Sequence, residues 1–445
     1  MNLEELARLY KAHVAHLQAK YEEALGAAGY DAVVIHSGAL KKRSDFDDQY
    51  WPLRATPHFQ HWAPLDEPDC ALVIASGKKP KLVWLRDGSF WEKPAPLEVD
   101  HWLASYDVVH VKTPEEAKAH LPQPGPRVGF IGEERARAVS WGFAVEKVNP
   151  DGLALKLDQL RVKKTPYEVL CLEEANRRAA RGHDAIAKAF RAGDASELEL
   201  HLLYLKATAQ DDAETPYKNI VALGENAATL HHIKYGRSAA GTPGSQALLL
   251  DAGATFQGYC SDITRTFVKG SGAAATAFAS LVAGVERFQQ KLCKDVAIGN
   301  PYEALHEEAH RQVGASLREA GVTTLSVDEA VAGGVTRAFF PHGLGHSLGL
   351  QCHDVGCALI KPKPENPFLR NTSTIAEGQC FTIEPGIYFI GALMEEVKAG
   401  KHGGAIDWKL VEELAKMGGV RIEDDVVVTS GASSVRNLTR EFLPA

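Results

Sequence analysis

The sequence lacks the features that mark membrane and secreted proteins. Across its 445 residues no uncharged apolar run approaches about 18 residues, so no transmembrane helix is expected. The start of the chain has Glu4 and Glu5 and no apolar segment behind them, so we do not expect a signal peptide. There is no low-complexity segment, and no repeat of about 20 to 50 residues is visible.

Cysteine is scarce and shows no pattern. The chain has 7 cysteines, an odd number, widely spaced and without a Cys-x-x-Cys motif, which predicts free thiols in a reducing cytoplasm. They are Cys70, Cys171, Cys260, Cys293, Cys352, Cys357 and Cys380. Cys352 and Cys357 flank His353, and soft metal ligation is the alternative for these two.

Positive charge is also in short supply. Lys and Arg total 49 against 57 Asp and Glu, a net charge of −8 with no long basic run. We therefore expect neither a nucleic acid nor a membrane partner. Hydrophobic residues at 45% and charged residues at 24% are ordinary for a globular protein. At about 150 residues per domain, the length predicts two or three domains.

The first part of the chain has the pattern of an α/β domain. Residues 3–26 carry apolar side chains at helical spacing, and Gly26 is expected to end that helix. Strands interleaved with helical patterns favour an α/β fold. The strand-like runs lie at 31–37, 70–76, 81–87, 107–113 and 127–133.

The composition changes near residue 160. Thr165, Pro166 and Glu168 combine an N-cap, a proline in the first turn and a glutamate three residues after the cap, so a long helix should follow. We place the domain boundary there, which gives an N-terminal domain at 1–160 and a second domain at 161–445.

Two acidic residues border strand-like runs in the second domain. Asp251 ends one run and Asp262 lies in the next. If the runs form a hairpin that turns near Gly258, the two carboxylates are cross-strand neighbours about 5 Å apart at Cβ. Like charges at that range repel, so one is protonated or a cation lies between them. Two solvated turn acids are the structural alternative.

Three histidines follow within residues 339–356. His342 and His346 have i, i+4 spacing, but a proline precedes them, two glycines lie between them and no glutamate follows His342. These features exclude a helical zinc motif and favour a glycine-permitted turn that presents the imidazoles. His353 comes seven residues after His346. Ordinary core or surface histidines are the alternative.

Two glutamates interrupt apolar, strand-like runs further along the chain. Glu384 lies within 380–390 and Glu423 within 420–430. A carboxylate in a buried strand is costly unless it is paired or metal-bound, and an edge-strand position is the alternative. Four carboxylates with one imidazole suit two hard or borderline divalent cations such as manganese. The set is Asp251, Asp262, His346, Glu384 and Glu423.

These motifs resemble those of the prolidases (Xaa-Pro dipeptidases), which are pita-bread metallopeptidases like methionine aminopeptidase, aminopeptidase P and creatinase. The matching stretches are NIVALGENAATLHH, LLLDAGATFQGYCSDITRTF, PHGLGHSLGLQCHDVG, FTIEPGIYFI and GGVRIEDDVVV. The opening helix, DAVVIHSGAL, the 51–64 region and KPKLVW resemble the bacterial form. The resemblance covers essentially the whole chain. It implies an N-terminal creatinase-like α/β domain followed by a pita-bread catalytic domain, an α/β (α+β) fold.

The resemblance also implies a dinuclear metal centre. Asp251 would bind one cation, Asp262 and Glu423 would bridge both, and His346 and Glu384 would complete one site. Two divalent ions are implied, manganese first, with Co²⁺, Zn²⁺ and Fe²⁺ as other candidates. A metal-bridged hydroxide would attack the carbonyl before proline, with Glu384 relaying the proton.

Substrate contacts are implied by further matches to the family. Arg370 would hold the C-terminal carboxylate of a dipeptide, which favours short substrates. His231 and His353 would take part in catalysis and contact the substrate, and His342 lies at the rim. Arg421 would support the last glutamate.

Other activities on the same site remain as alternatives. Organophosphorus acid anhydrolases are close relatives of bacterial prolidases, so phosphotriester hydrolysis is the main alternative, as a side activity of the same centre. Aminopeptidase P activity is a second, which the Arg370 position disfavours. A binding module without activity is a third, which the complete ligand set disfavours.

Two residues depart from the family pattern, His232 after His231 and Ser347 after His346, and both bear on the shape of the pocket. The resemblance implies a homodimer whose N-terminal domain helps cover the partner's site. Asp45–Asp48 and Trp51 are candidate contacts, with a solvated loop as the alternative.

Overall fold

A computed structural model describes most of the chain, and its residues form two compact units, Met1–Leu170 and Cys171–Ala445. No helix among the described residues is long and apolar enough to cross a bilayer. The predicted boundary at residue 160 stays a prediction. The described residues are 2–86, 101–193, 195–238, 247–358, 360–431 and 435–444.

The described part of the first unit contains a mixed sheet in the order β4-β3-β2-β1-β5. Its strands are β1 (Ala32–His36), β2 (Ala71–Ala75), β3 (Lys81–Leu85), β4 (Asp107–Val111) and β5 (Val128–Ile131). Its helices are α1 (Leu3–Ala28), α2 (Pro57–Gln60), α3 (Pro114–Ala117), α4 (Arg135–Ser140) and α5 (Asp151–Leu160). β1 pairs parallel with β5 and antiparallel with β2, while β3 pairs parallel with β4. Each of the five predicted strand-like runs contains a strand.

Helix α1 differs from its prediction at one end. Asn2 caps its start, because its side chain accepts a hydrogen bond from the Glu4 amide. The helix continues past Gly26, which was predicted to end it, and ends at Gly29. Gly29 has a φ of +79°, the left-handed conformation that ends helices and that glycine adopts without a steric penalty.

The second unit combines long helices with short strands. Its helices are α6 (Pro166–Ala192, which starts in the first unit), α7 (Glu197–Thr208), α8 (Ala273–Lys294), α9 (Tyr302–Glu319), α10 (Val327–Ala332), α11 (Val335–Phe339), α12 (Gly391–Ala399) and α13 (Trp408–Ala415). Its strands are β6 (Ile220–Leu223), β7 (Ala247–Asp251), β8 (Thr255–Phe256), β9 (Tyr259–Cys260), β10 (Thr264–Val268), β11 (Cys380–Ile383), β12 (Gly386–Tyr388), β13 (Gly419–Arg421), β14 (Asp424–Val428) and β15 (Val435–Asn437).

The predicted start of the long helix α6 is confirmed in detail. The Thr165 amide donates to Glu168 Oε2 at 2.7 Å, and the Glu168 amide donates to Thr165 Oγ1 at 3.4 Å. This reciprocal pair satisfies amides that the first helical turn leaves without partners.

The sheets of the second unit rest on a helical core. The strands pair in the orders β10-β7-β6, β11-β14-β15, β12-β13 and β8-β9. Apolar side chains of α8 and α9, such as Phe278, Val285 and Val313, are fully buried in one cluster with Phe381 and Val426 of the sheet. Burial of this kind stabilises by roughly 25 cal/mol per Å² of apolar surface, and it holds the strand ends in fixed positions.

Candidate active site

One cavity of the second unit brings together every site residue that the sequence predicts. Its volume is about 680 Å³. The predicted residues that line it are His231, Asp251, Asp262, His342, His346, His353, Arg370, Glu384, Arg421 and Glu423. They come from six separate stretches of the sequence, so only the tertiary fold brings them together.

The hairpin that carries the two aspartates forms, but its predicted register is wrong. Asp251 lies opposite Thr264 instead of Asp262. The turn is centred between Gln257 and Gly258, whose φ angles of +52° and +83° are the pair that a type I′ turn requires. Compared with the prediction, the turn centre lies one residue later in the chain, and the residue opposite Asp251 therefore lies two residues later. Asp262 still lines the same cavity, beyond the end of β7.

Glu384 and Glu423 lie at breaks between strands. Glu384 separates β11 from β12, and its amide donates to the Leu344 carbonyl at 2.8 Å. Glu423 separates β13 from β14, and its amide donates to the Thr264 carbonyl at 3.0 Å. The interruptions seen in the sequence are therefore real breaks, where the backbone bonds to a neighbouring segment and the side chain faces the cavity.

The histidine segment is a loop, as predicted. Helix α11 ends at Phe339, before His342. Gly345 allows the loop to pass close to β11, because a Cβ there would lie 2.2 Å from the Thr382 carbonyl oxygen. The His346 amide then donates to Thr382 Oγ1 at 3.2 Å, which fixes the imidazole over the carboxylates.

The carboxylates and His346 form a compact donor cluster. His346 Nε2 lies 3.4 Å from Asp262 Oδ2 and 3.7 Å from Glu384 Oε1. Asp262, His346 and Glu423 each offer one donor atom, and these three atoms all lie within 4.8 Å of one another. His346 Nδ1 donates to the Ser347 carbonyl at 3.1 Å, so in the neutral ring the lone pair of Nε2 points at the cluster.

The cluster has too little positive charge for its acids. Burial and the neighbouring carboxylates raise the pKa of Glu423 well above its ordinary value. Burial also raises the pKa of Glu384 to about 7, although His346 and Arg421 oppose the shift. Burial, with the charge of Asp262, raises the pKa of Asp251 despite its contact with Arg421. Three acids held above their ordinary pKa mark a site that favours added cations.

The donor set fits divalent cations. Asp251 Oδ2 accepts from Arg421 Nη2 at 2.6 Å, but the buried Oδ1 of the same carboxylate has no partner. An orphaned buried carboxylate oxygen is costly unless a ligand takes it up. Oxygen donors with one imidazole nitrogen are the ligands of hard and borderline ions.

Arg421 belongs to a hydrogen-bond chain that includes a residue the sequence analysis missed. Arg421 Nη1 donates to the hydroxyl of Tyr388 at 2.9 Å. That hydroxyl lies 2.8 Å from His342 Nε2, and His342 Nδ1 donates to the Gly343 carbonyl at 2.8 Å. Nδ1 therefore carries the proton, and Nε2 accepts one from Tyr388. Tyr388 stands in the FTIEPGIY motif, but nothing in its spacing distinguishes it from a core aromatic.

Asp262 has two further partners that the sequence did not suggest. Tyr217 donates its hydroxyl hydrogen to Asp262 Oδ1 at 2.5 Å, and Cys352 Sγ donates to Oδ2 at 2.9 Å. Burial alone would raise the pKa of Asp262, but these bonds and the neighbouring His346 bring it below its ordinary value. Asp262 is thus the carboxylate of the cluster that stays ionised most readily.

The chain matches known proteins over nearly its full length. Residues 170–430 match the model of metallopeptidase family M24, and residues 8–159 match the N-terminal domain of Xaa-Pro dipeptidase. The Xaa-Pro dipeptidase of Pseudoalteromonas atlantica is 39% identical over 448 aligned residues, which cover 99% of each chain. That of Xanthomonas axonopodis pv. citri is 38% identical, again over 99% of each chain.

The chain belongs to the Xaa-Pro dipeptidases of metallopeptidase family M24. It is accordingly a metal-dependent peptidase.

Solved structures of related peptidases share its fold. Aminopeptidase PepP of Pseudomonas aeruginosa superposes with a TM-score of 0.70 at 23% identity, covering 100% of this chain and 96% of that one. Proline aminopeptidase P II of Yersinia pestis gives 0.70 at 22% identity, with coverage of 99% and 97%. The predicted fold class, an N-terminal α/β domain before a pita-bread catalytic domain, is confirmed.

The two departures from the family pattern have structural explanations in this dipeptidase. His232 turns to Glu197, with Nε2 at 2.8 Å from Oε2, and that carboxylate also accepts from the Leu223 and Gly236 amides. Ser347 is buried and bridges to β11 through its backbone opposite Phe381. Neither His232 nor Ser347 is among the described residues that line the cavity.

Proposed function

We propose that this chain hydrolyses dipeptides whose second residue is proline, with the predicted residues in the roles given above. The observation that carries the proposal is the shared cavity, which combines a cation-binding donor cluster with an exposed arginine, Arg370, at the substrate end. A carboxylate-binding group at a fixed distance from a hydrolytic centre binds the chain end only when one residue follows the scissile bond. This arrangement selects dipeptides.

Five residues would hold the cations, and we propose manganese as the ion used. Asp251, Asp262, His346, Glu384 and Glu423 supply oxygen and imidazole donors that fit two such ions. When bound, divalent cations polarise a carbonyl group and make water a stronger nucleophile at neutral pH. Arg421 and Tyr217 orient Asp251 and Asp262 by direct hydrogen bonds.

Glu384 would move the proton of the reaction. A carboxylate at the strand break between β11 and β12 faces the cavity and lies beside His346 and His342. In this role it accepts a proton from the attacking water and donates it to the proline nitrogen as the peptide bond breaks. That nitrogen carries no hydrogen in a proline peptide, so it must receive one to leave as an amine.

The remaining residues would bind and orient the substrate. Arg370 pairs with the free carboxylate of proline, and His231 assists at the same end. His353, whose ring centroid lies 4.3 Å from that of His346, would stabilise the oxygen of the scissile carbonyl as its negative charge grows. The Phe368 and Leu369 segment lines the same cavity and supplies apolar surface for the proline ring.

The test is a panel of substrates with one arginine variant. We expect the manganese-loaded enzyme to cleave Xaa-Pro dipeptides and to reject Xaa-Ala dipeptides and Xaa-Pro-Yaa tripeptides. Arg370→Lys should raise KM about tenfold with little change in kcat, because it weakens carboxylate binding in ground and transition states alike. Lys361→Ala, on the same loop, is the matched control. Failure to cleave Xaa-Pro dipeptides would refute the proposal.

Phosphotriester hydrolysis, the alternative weighed from the sequence, has no support from the relatives named above. The same substrate panel decides it when a phosphotriester is included. We expect its kcat/KM to fall well below that of the Xaa-Pro dipeptide.

We extend the proposal to a cytoplasmic homodimer in which the N-terminal unit helps cover the partner's site. Three aromatic side chains on one loop support it, since Phe46, Tyr50 and Trp51 are all exposed. Exposed aromatic clusters are typical of interaction surfaces. Sedimentation analysis should find a dimer, and Phe46→Ser with Trp51→Ser should weaken it.

A further inference from the structure

A thiol adjoins the carboxylate cluster, in a position that the proposed reaction does not use. Cys352 is partly exposed, whereas the other six cysteines are buried. Its sulfur donates to Asp262 Oδ2 at 2.9 Å. This thiol therefore lies beside donor atoms that are expected to hold cations.

Two imidazoles complete a second donor set around this thiol. His346, Cys352 and His353 each offer one donor atom, and these three atoms all lie within 4.8 Å of one another. The two imidazole rings meet edge to face, with centroids 4.3 Å apart and an interplanar angle of 82°. Two nitrogens and one sulfur that converge in this way leave a fourth position open, as in three-ligand zinc sites.

The chemistry of this set differs from that of the carboxylate cluster. Thiolate sulfur and imidazole nitrogen favour soft and borderline ions such as Zn²⁺ and Cd²⁺, whereas carboxylate oxygens favour Mn²⁺. The two sets share His346, whose Nε2 also faces Asp262 and Glu384 at 3.4 and 3.7 Å. A single imidazole nitrogen binds one cation at a time.

We propose that His346, Cys352 and His353 form a separate site for a soft or borderline divalent cation, and that occupation of this site competes with the carboxylate site for His346. On binding, the sulfur–hydrogen bond of Cys352 breaks and a sulfur–cation bond forms. The proton leaves to solvent by way of Asp262 Oδ2, which already accepts it as a hydrogen bond. One divalent cation is taken up and one proton is released.

The site has a functional consequence, which rests on the proposed peptidase activity. A cation held by His346, Cys352 and His353 withdraws one predicted ligand from the carboxylate cluster and one predicted substrate contact from the cavity. Soft cations would therefore inhibit the manganese enzyme. The binding itself does not depend on that activity and is measured without it.

The first experiment titrates the metal-free full-length protein with Cd²⁺ and follows the ultraviolet charge-transfer absorption of a cadmium–thiolate bond. We expect the wild-type chain to gain this absorption, with saturation at one thiolate-bound ion per chain. Cys352→Val should abolish it. Cys357→Val removes a buried thiol five residues away and is the matched control, which should leave the absorption unchanged. Absence of the absorption from wild type, or its persistence in Cys352→Val, would overturn the proposal.

The second experiment measures inhibition. The Zn²⁺ concentration that halves the activity of the manganese-loaded enzyme should rise at least about tenfold in Cys352→Val, but not in Cys357→Val. Cys352→Ser keeps a hydrogen-bond donor beside Asp262 without the soft sulfur, so it should behave like the valine variant. Equal inhibition of all variants would overturn the competition for His346. Lack of peptidase activity throughout would refute the proposed function, while the cadmium absorption would still report the site.

Discussion

Both units place carboxylate groups in buried surroundings with histidines nearby, but the pKa values of three of the acids in the second unit shift in the opposite direction to that of Glu168 in the first. In the first unit, Glu168 Oε2 accepts from the Thr165 amide at 2.7 Å, and Glu168 Oε1 lies 3.5 Å from His61 Nε2. Burial alone would raise the pKa of Glu168, but the imidazoles of His61 and His13 hold it well below its ordinary value. In the second unit, Glu384, Glu423 and Asp251 have raised pKa values.

The difference separates a structural carboxylate from a ligand-binding one. The carboxylate of Glu168 interacts with protein groups, so it does not require a ligand. The acids of the second unit face one another across a cavity of about 680 Å³, with Arg421 and His346 as their positive neighbours. All of these groups are carboxylates that are at least half-buried. The balance of charge around the group decides which carboxylate requires a cation.

The largest effect should come from removing a cation ligand. Asp262→Asn takes away the charge of the carboxylate that interacts with His346, Tyr217 and Cys352. We expect activity on an Xaa-Pro dipeptide to fall about 10³-fold or more, and metal analysis to find fewer than two ions per chain. Glu168→Gln is the control in the first unit, and it should retain both ions. Normal metal content in Asp262→Asn would refute the ligand assignment.

A paired substitution tests the comparison through stability. In the metal-free protein, Glu168→Gln should lower the free energy of unfolding of the first unit by about 3 kcal/mol. The substitution removes a buried charge and leaves the partners of that charge buried without it. Glu423→Gln should cost less than about 1 kcal/mol in the second unit, since that carboxyl already resists ionisation and its bond from Thr264 can be kept. Denaturation and hydrogen exchange measure both. Equal losses would remove the distinction.

Metal addition should stabilise one unit and leave the other unchanged. Mn²⁺ at about 100 times its dissociation constant adds roughly 2.7 kcal/mol to a state that binds it. We expect the free energy of opening measured from the exchange of β14 amides to rise by that amount. The exchange rates of α1 amides should stay the same. A chelator should reverse the change. Protection of α1 as strong as that of β14 would show that the effect is not local to the donor cluster.

Mild acid should act on the first unit through His13. Burial, opposed in part by Glu168, lowers the pKa of His13 to about 4. Between the ordinary value of 6.5 and about 4, the unfolded chain binds a proton that the folded chain refuses, so stability falls as the pH falls. At pH 5 the loss from this group is about 2 kcal/mol.

Hydrogen exchange of α1 amides between pH 7.5 and 5 measures that loss. His13→Gln should remove this share of the pH dependence. His16→Gln, at an exposed position one turn along the same helix, removes only the smallest contribution to the His13 shift and should change the pH dependence far less. An unchanged profile in His13→Gln would assign the acid sensitivity to another group.

Much of the fold could be predicted from local chemistry. The five strands of the first unit, the capped start of α6 and the loop that carries His342 all follow from side-chain periodicity, capping residues and glycine. These features depend on neighbours a few residues away, so the linear sequence contains them. The end of α1 at Gly29 instead of Gly26 shows the limit, because several glycines offer a stop and the surrounding packing selects one.

The sequence by itself singled out the residues that we propose carry the chemistry, through five spaced motifs and the cost of placing acids in apolar runs. Only the tertiary structure decided how they meet. A turn centred one residue later placed Asp251 opposite Thr264. The fold also joined Tyr388 to the cluster without any signal in its spacing, and it brought the thiol of Cys352 to Asp262. Contacts between distant segments depend on register and packing across the whole unit, and pairwise spacing along a chain does not record them.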